Sequence, residues 1–498
     1  MSRSDSTAAA IRAAHSALSR GEKVYRWQGP SNSVAAAGDL VFGSLLQAES
    51  LTETEPVVIS ASDRHHLVEL KRTPAALLME KSFLWGYIAV SVLKDLGFFF
   101  ELLSASQVRK HTLSHYSLLI VPGGWAHLKS KALGHDGREE VRRFVQKGGG
   151  YLGICGGAGL ALQVDEGLGL VPVARKAMWD RLPNFSGSIQ VRQSSNHPLW
   201  WGLGEAVPLQ VWWPSQFDIL DQENLTVLGR YGHPEKDFCV SDLNVHQAEA
   251  AGLDWSSLER EYEINLNPEM LLDEPAIIEG QYGEGRVVLS YPHLETPGDE
   301  AGNLALFNLW HDLLATSACQ AESKRRTETP TLLVDEESLD TLKQVAQQAD
   351  ELVSFGARCG IWSWRNPWLL QWKRGIRGAE FGTVCVLLRG LLRELEGCQT
   401  STDPGGKAVT RELCQQLRIL GDLWQQFYPK GRALLQGELQ CLQGDAMGRS
   451  ASIVRADTNK VKKEIFNCIH CYGSKSYGGL YRRLLDQIDK LLSMVLCQ

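Results

Sequence analysis

The run Gly148-Gly149-Gly150-Tyr151-Leu152-Gly153-Ile154-Cys155-Gly156-Gly157-Ala158-Gly159-Leu160 constrains this chain more than any other segment. It reads as a buried strand, YLGIC, running directly into a helix start, GGAGLAL, with Cys155 at the joint between Gly153 and Gly157. A nucleophile on so sharp a strand-to-helix turn needs small residues two positions either side, because the doubled-back backbone leaves no room for a Cβ. The turn also sets the thiol at the positive end of the following helix, which favours the thiolate. A buried cysteine without a catalytic role fits the same letters, so the rest of the chain decides.

Two further features favour chemistry. His293 and Glu295 follow the strand RVVLSYP at alternate positions, so both project near one strand terminus. A His that deprotonates a thiol and a carboxylate that orients the His are the parts of an activated nucleophile. The other feature is Pro122-Gly123-Gly124 at the end of the apolar run LLIV. Backbone N–H groups there, with that of Gly156, are placed to bind a developing oxyanion.

The surrounding pattern is α/β. AALLM from Ala75 reads as a strand, Leu84 to Leu96 as a helix stopped by Gly97, and FFFELLSA as a second strand. Then come the strand LLIV at 118–121, a helix from Arg138 to Gln146, and YLGIC. Strands alternating with helices predict a parallel sheet covered on both faces. Shorter extended stretches follow, SGSIQVR, LQVWW and LTVLGRY, then a hairpin AIIEGQYGEGRVVLSYPH turning at Gly283 and Gly285, and a helix from Asn303 to Leu314. The stretch CQAESKRRTETP has linker composition. Beyond it, Leu339 to Val353, Thr383 to Leu395, Thr410 to Phe427 and Tyr481 to Leu496 each carry an apolar face, which predicts a helical bundle. The expected division is an N-terminal extension 1–72 without assigned chemistry (a helix near Ala8 to Leu18, a strand at Val57 to Ser60), an α/β domain 73–318, a linker 319–335 and an α-helical domain 336–498.

Composition sets the limits. At 498 residues, 44% hydrophobic and 22% charged, the chain is long and apolar enough for several folded domains. Its 51 basic and 58 acidic residues leave a net charge of −7, which offers no global attraction for nucleic acid or an anionic membrane. That average hides a split: from residue 331 onward there are 22 Lys and Arg against 18 Asp and Glu, and before it 29 against 40. Opposite net charges favour a bundle docked near the mouth of the site; a bundle merely tethered by the 317–330 segment fits the letters as well. The N-terminal segment has no signal-like apolar core, and no apolar run approaches the roughly 20 residues of a membrane span, so a cytoplasmic protein is expected. Eleven irregularly spaced cysteines point to reduced thiols.

Taken in order, PGG, the GGGYLGICGG elbow and the terminal YGEGRVVLSYPHLE resemble the class I glutamine amidotransferases, and in particular the amidotransferase-like domain called biotin-protein ligase N-terminal. The resemblance covers residues 73–318 and implies a flavodoxin-like parallel sheet. Carried over residue by residue, it makes Cys155 the nucleophile, His293 the general base, Glu295 its orienting acid, Gly124 and Gly156 the oxyanion donors, and Gly123 and Gly157 parts of the binding surface. It implies a thioester intermediate on a small-molecule or peptide amide, with no cofactor and no metal. Two departures matter. Many glutamine-using members have Gln four residues after the nucleophile, where this chain has Gly159, and no biotinyl-adenylate loop of the Gly-Arg-Gly-Arg-x-Gly type is present, so biotin ligase activity is not expected. The alternative is a degenerate scaffold that binds a small molecule or peptide, with the helical domain as the surface for a protein partner or acceptor.

Weaker signals complete the reading. Cys468 and Cys471, with His470 between, have zinc-ligand spacing but no second pair, and core thiols are favoured. Trp362, Trp364, Trp368 and Trp372 with Arg365, Lys373 and Arg374 have the makings of a base-stacking patch, but 364, 368 and 372 also share one helix face, and packing is favoured. GSKSYGG at 473–479 lacks the order of a phosphate-binding loop. Glu80 stands where the intracellular-protease branch of the same superfamily puts a carboxylate beside its cysteine, which leaves a second chemistry open.

Overall fold

A computed structural model describes residues 3–29, 37–42, 47–49, 57–58, 63–318, 333–371, 373, 375–396, 399–400, 408–447, 452–467 and 477–496. The chain divides into two compact units, Met1–Lys324 and Arg325–Gln498.

The first unit is built on a parallel core. Strand β1 (Ala75–Leu78) is wholly buried and feeds α1 (Phe83–Asp95), a helix apolar on nearly every side and buried accordingly. Then follow β2 (Phe100–Leu103), β3 (Leu118–Val121), α2 (Ala126–Gln146), β4 (Gly150–Ile154) and α3 (Gly156–Ala161). The order β2-β1-β3-β4 is that of a flavodoxin-like sheet, and strands of this core carry the next elements at their C-terminal ends. Helix α2 starts well before the predicted Arg138 because Gly134, at φ 64°, breaks its helical register and with it the apolar period.

The sheet is mixed rather than purely parallel. After β5 (Val173–Arg175) come β6 (Phe185–Gln193), β7 (Ala206–Trp212), β8 (Phe217–Ile219) and β9 (Leu225–Pro234). The hairpin β10 (Pro275–Tyr282) and β11 (Gly285–Ser290) then joins both halves: β11 lies parallel to β4, with Ser290 opposite Ile154, and β10 continues antiparallel onto β9 and β6. Helix α4 (Glu300–Thr316) closes the unit, its N-terminus capped by Asp299.

The N-terminal residues belong to this same unit. A helix at Arg3–Ser19 sets His15 between Leu96 O, at 2.8 Å from Nδ1, and His311 Nε2, at 3.1 Å from its own Nε2. Burial lowers the His15 pKa to about 4 against the backbone bond to Leu96, so the pair is neutral and serves packing. A five-stranded antiparallel sheet of Val24–Trp27, Leu40–Phe42, Gln47–Glu49, Val57–Val58 and Leu67–Glu69 follows, the fourth being the start of the strand expected at Val57, and from it Arg26 reaches Asn308.

The second unit is helical: α5 (Glu336–Arg358), α6 (Gly378–Glu396), α7 (Ala408–Ala446), α8 (Ser452–Phe466) and α9 (Gly479–Leu496). The Trp-rich segment corrects the helical-face alternative: it is a hairpin of Ser363–Asn366 with Leu369–Gln371, turning at Pro367. Trp362 is buried, with Nε1 donating to Val353 O at 2.8 Å, and Arg389 lies over the exposed Trp364 ring. Cys468, His470 and Cys471, with Trp372, Arg374 and residues 473–476, lie outside the described residues. Among the described residues no cluster of His, Cys, Asp and Glu suits a metal, and no helix is long and apolar enough to cross a membrane.

Candidate active site

Cys155 sits at φ 49°, ψ −102°, a backbone conformation that costs on the order of 1–3 kcal/mol and persists only when neighbours fix it. They do. Its N–H donates to Ser290 O at 2.7 Å, tying β4 to β11 at the elbow. A Cβ on Gly153 would come within 2.7 Å of the Gly157 carbonyl group, and one on Gly157 would fall on the Val121 carbonyl oxygen. The glycines flanking Cys155 are therefore required by backbone contact between neighbouring strands and the helix start, as the spacing predicts.

His293 and Glu295 leave the end of β11 and are each 1% exposed. Nδ1 donates to Glu295 Oε1 at 2.9 Å. The turn that carries them is fixed by His293 N donating to Gln210 O at 2.8 Å, by Thr296 Oγ1 donating to His293 O, and by Asn303 Nδ2 donating to Leu294 O and Thr296 O. Burial pushes the His293 pKa down, but the Glu295 carboxylate and the nearby Cys155 sulfur outweigh it and raise the value to about 10. The ring thus carries its second proton at neutral pH. Among the described residues the buried Nε2 has no partner at hydrogen-bond distance, and the Cys155 sulfur is the neighbouring group that, beside Glu295, raises the ring's pKa.

The Pro-Gly-Gly turn after β3 closes on both. Gly124 lies at φ 109°, where a side chain would strike Lys81 O and Ser82. A Cβ on Gly156 would land on the Gly124 carbonyl, and one on Gly123 would meet His293 Cε1 at 2.8 Å. Cys155, Gly156, Gly157, Gly123, Gly124, His293 and Glu295 are therefore gathered at one place, at the C-terminal ends of β3, β4 and β11. Neither Gly124 N–H nor Gly156 N–H donates to a backbone acceptor among the described residues.

Glu80 is elsewhere engaged: its Oε2 accepts from Ala105 N at 2.8 Å, at the start of the short helix Ala105–Val108. No bond between it and Cys155 is found among the described residues, so the second carboxylate chemistry has no geometric support. Gly159 faces Ala126, where an added Cβ would stand 3.4 Å from the Ala126 methyl, and it offers no side chain to a substrate.

The sequence did not disclose the rest of the surround. Trp85, on α1, lies over His293 with ring centroids 4.4 Å apart and stacks on Trp212 at 6.2 Å. Trp212 O receives the Cys155 thiol at 3.9 Å. Tyr231 and Tyr291 are buried near Cys155, and burial first of all raises the pKa of both phenols. These residues come from four separate segments, one a helix and the others strands or their ends, which only the tertiary fold brings together; no local pattern marks them.

A family model described as "Biotin-protein ligase, N terminal" matches residues 103–164, from the end of β2 through the Pro-Gly-Gly turn and the Cys155 elbow. No curated protein sequence matches the chain. Among solved structures, a glutamine amidotransferase from Thermotoga maritima is 14% identical, with a TM-score of 0.27 over 49% of this chain and 99% of that one. PurLQS from Thermotoga maritima is 16% identical, with a TM-score of 0.33 over 48% and 100%. A β-galactosidase from Bacillus circulans sp. alkalophilus is 13% identical, with a TM-score of 0.28 over 49% and 31%. Likenesses this weak speak to neither substrate nor mechanism. What these comparisons show of the chain is that residues 103–164 are similar to the biotin-protein ligase N-terminal family, on a sheet whose strand order is flavodoxin-like.

Proposed function

We propose that the α/β unit is a cysteine-dependent amidohydrolase or amidotransferase-like enzyme working through Cys155, His293 and Glu295. The observation that carries this reading is geometric: the buried His293 ring is oriented by Glu295 at 2.9 Å from Nδ1, stands against the Gly123 turn beside the Cys155 elbow, and has no other partner for Nε2 among the described residues. The upward shift of the His293 pKa, caused by Glu295 and Cys155, suits the ring to take the thiol proton and return it later in the reaction.

The thiolate attacks the carbonyl carbon of an amide, and the C=O electron pair moves onto oxygen. Gly124 and Gly156 N–H groups face the developing oxyanion. Collapse breaks the C–N bond, and the leaving amine takes the proton from His293 Nε2. The resulting thioester is attacked by water or by an acceptor amine, whose proton goes to the now neutral ring, and the C–S bond breaks to restore the thiolate. Glu295 holds the ring in place throughout.

Gly159 argues against free glutamine as the favoured substrate, and the sequence carries no Gly-Arg-Gly-Arg-x-Gly loop for biotinyl-adenylate. The test is turnover of a panel of amides by the full chain and by Cys155→Ala and His293→Gln. Loss of at least about a thousandfold in both variants, with folding intact, supports the triad. Turnover retained in Cys155→Ala excludes it and favours the scaffold reading.

A further inference from the structure

Two arginines lie beside this site and the triad uses neither. Arg175 ends β5, whose ladder with β8 sets it opposite Phe217. Phe217 stacks on Tyr291 with ring centroids 4.1 Å apart, and Tyr291 adjoins Ser290, the residue that holds the Cys155 N–H. Arg181 is brought to the same neighbourhood by Gln216, whose Oε1 accepts from Leu182 N at 2.7 Å. A short series of contacts therefore leads from the Cys155 elbow through Tyr291 and Phe217 to the backbone that carries both arginines, and the charges of both act on the Tyr291 phenol.

Their surroundings leave positive charge and donors unspent. Among the described residues neither arginine has a carboxylate partner, and Asp180, next to Arg181 in sequence, is exposed. Burial first, then the like charge of Arg175, lowers the Arg181 pKa. Among the described residues Arg181 Nε and Gln216 Nε2 are buried without hydrogen-bond partners, and Gln216 is 0% exposed. Arg175 is exposed and Arg181 half-buried, and a half-buried guanidinium near a like charge, with a buried Nε and the Gln216 amide unpartnered, is stabilised by an anion that accepts from both. A guanidinium fork is suited to the paired oxygens of a carboxylate or phosphate.

We propose that Arg175 and Arg181 form an anion subsite beside Cys155, which makes the substrate a small amide or related acyl compound bearing a carboxylate or phosphate away from the reacting carbonyl. The substrate assignment rests on the cysteine chemistry proposed above; anion binding itself does not.

The test is calorimetric titration of succinate and of inorganic phosphate into the full chain and its Cys155→Ala, Arg175→Gln and Arg181→Gln variants. Saturable binding that survives Cys155→Ala and weakens roughly tenfold to a hundredfold in each arginine variant supports the subsite, the size being that of a lost charged hydrogen bond. The tighter of the two anions identifies carboxylate or phosphate as the group recognised. A second readout needs no variant: iodoacetate, relative to neutral iodoacetamide, reacts faster at Cys155 than at a free thiol in the unfolded chain. Absence of saturable binding of either anion, or binding untouched by both arginine substitutions, overturns the proposal. Binding present in a chain that turns over no amide leaves the subsite standing and removes the cysteine chemistry; turnover without anion binding does the reverse.

Discussion

Cys155 N–H donates to Ser290 O at 2.7 Å, and three residues beyond Ser290 the chain places His293. One backbone bond between parallel neighbours thus fixes the strained elbow and the start of the turn that presents the imidazole. The separation of nucleophile and ring is set by sheet register rather than by loop flexibility, since β11 pairs with β4 from Val287 opposite Tyr151 to Ser290 opposite Ile154.

The elbow glycines should divide sharply under substitution to alanine. Gly157→Ala drives a Cβ into the Val121 carbonyl, and a loss of about 3 kcal/mol or more in urea unfolding is expected. Gly159→Ala meets only the Ala126 methyl at ordinary contact distance and lies in a helix, so it should stabilise by up to about 1 kcal/mol. Equal effects at the two positions would mean that the helix start does not abut β3.

His293 should titrate far from an ordinary histidine. With its pKa raised from 6.5 to about 10, folded and unfolded chains are both protonated below pH 6.5, and the stabilisation from this group is whole there. Between pH 6.5 and 10 the unfolded chain releases the proton while the folded one keeps it, so stability falls as pH rises and the contribution is gone above pH 10. NMR of the ring should show no titration through pH 8. In Glu295→Gln burial acts without the main opposing charge, and the ring should become neutral near or below its ordinary pKa.

Asp299, which caps α4 by accepting from Gly302 N at 2.9 Å, is predicted to oppose folding at neutral pH. Burial, against the two backbone bonds it accepts, raises its pKa from 3.8 to about 7. The folded state therefore binds the extra proton between pH 4 and 7, and stability declines as pH rises through that window. Asp299→Asn keeps a capping oxygen and loses the charge, so the slope of unfolding free energy against pH should flatten between 4 and 7 with the cap retained.

How much was legible in the sequence follows from what each feature depends on. The elbow, the Pro-Gly-Gly turn and the His-x-Glu end are local, each demanded by backbone crowding or strand alternation, and the structure brings all seven of their named residues together. The start of α2 was hidden because Gly134 breaks its period. Helix α8 shows no clear apolar face in the sequence because its buried side includes Thr458 and Lys462, the latter satisfied by Gly375 O and paired with Glu438. Arg175 and Arg181 are lone arginines in the chain and acquire meaning only when β8 and Gln216 bring them beside Tyr291.

Cys155 as an activated nucleophile is tested most directly by competitive alkylation of the native chain at mildly acidic pH, with peptide mapping of every cysteine. Labelling of Cys155 well ahead of the other ten thiols, lost in His293→Gln, is the result expected. Labelling spread evenly over the thiols, or led by Cys155 to the same extent without His293, would contradict it.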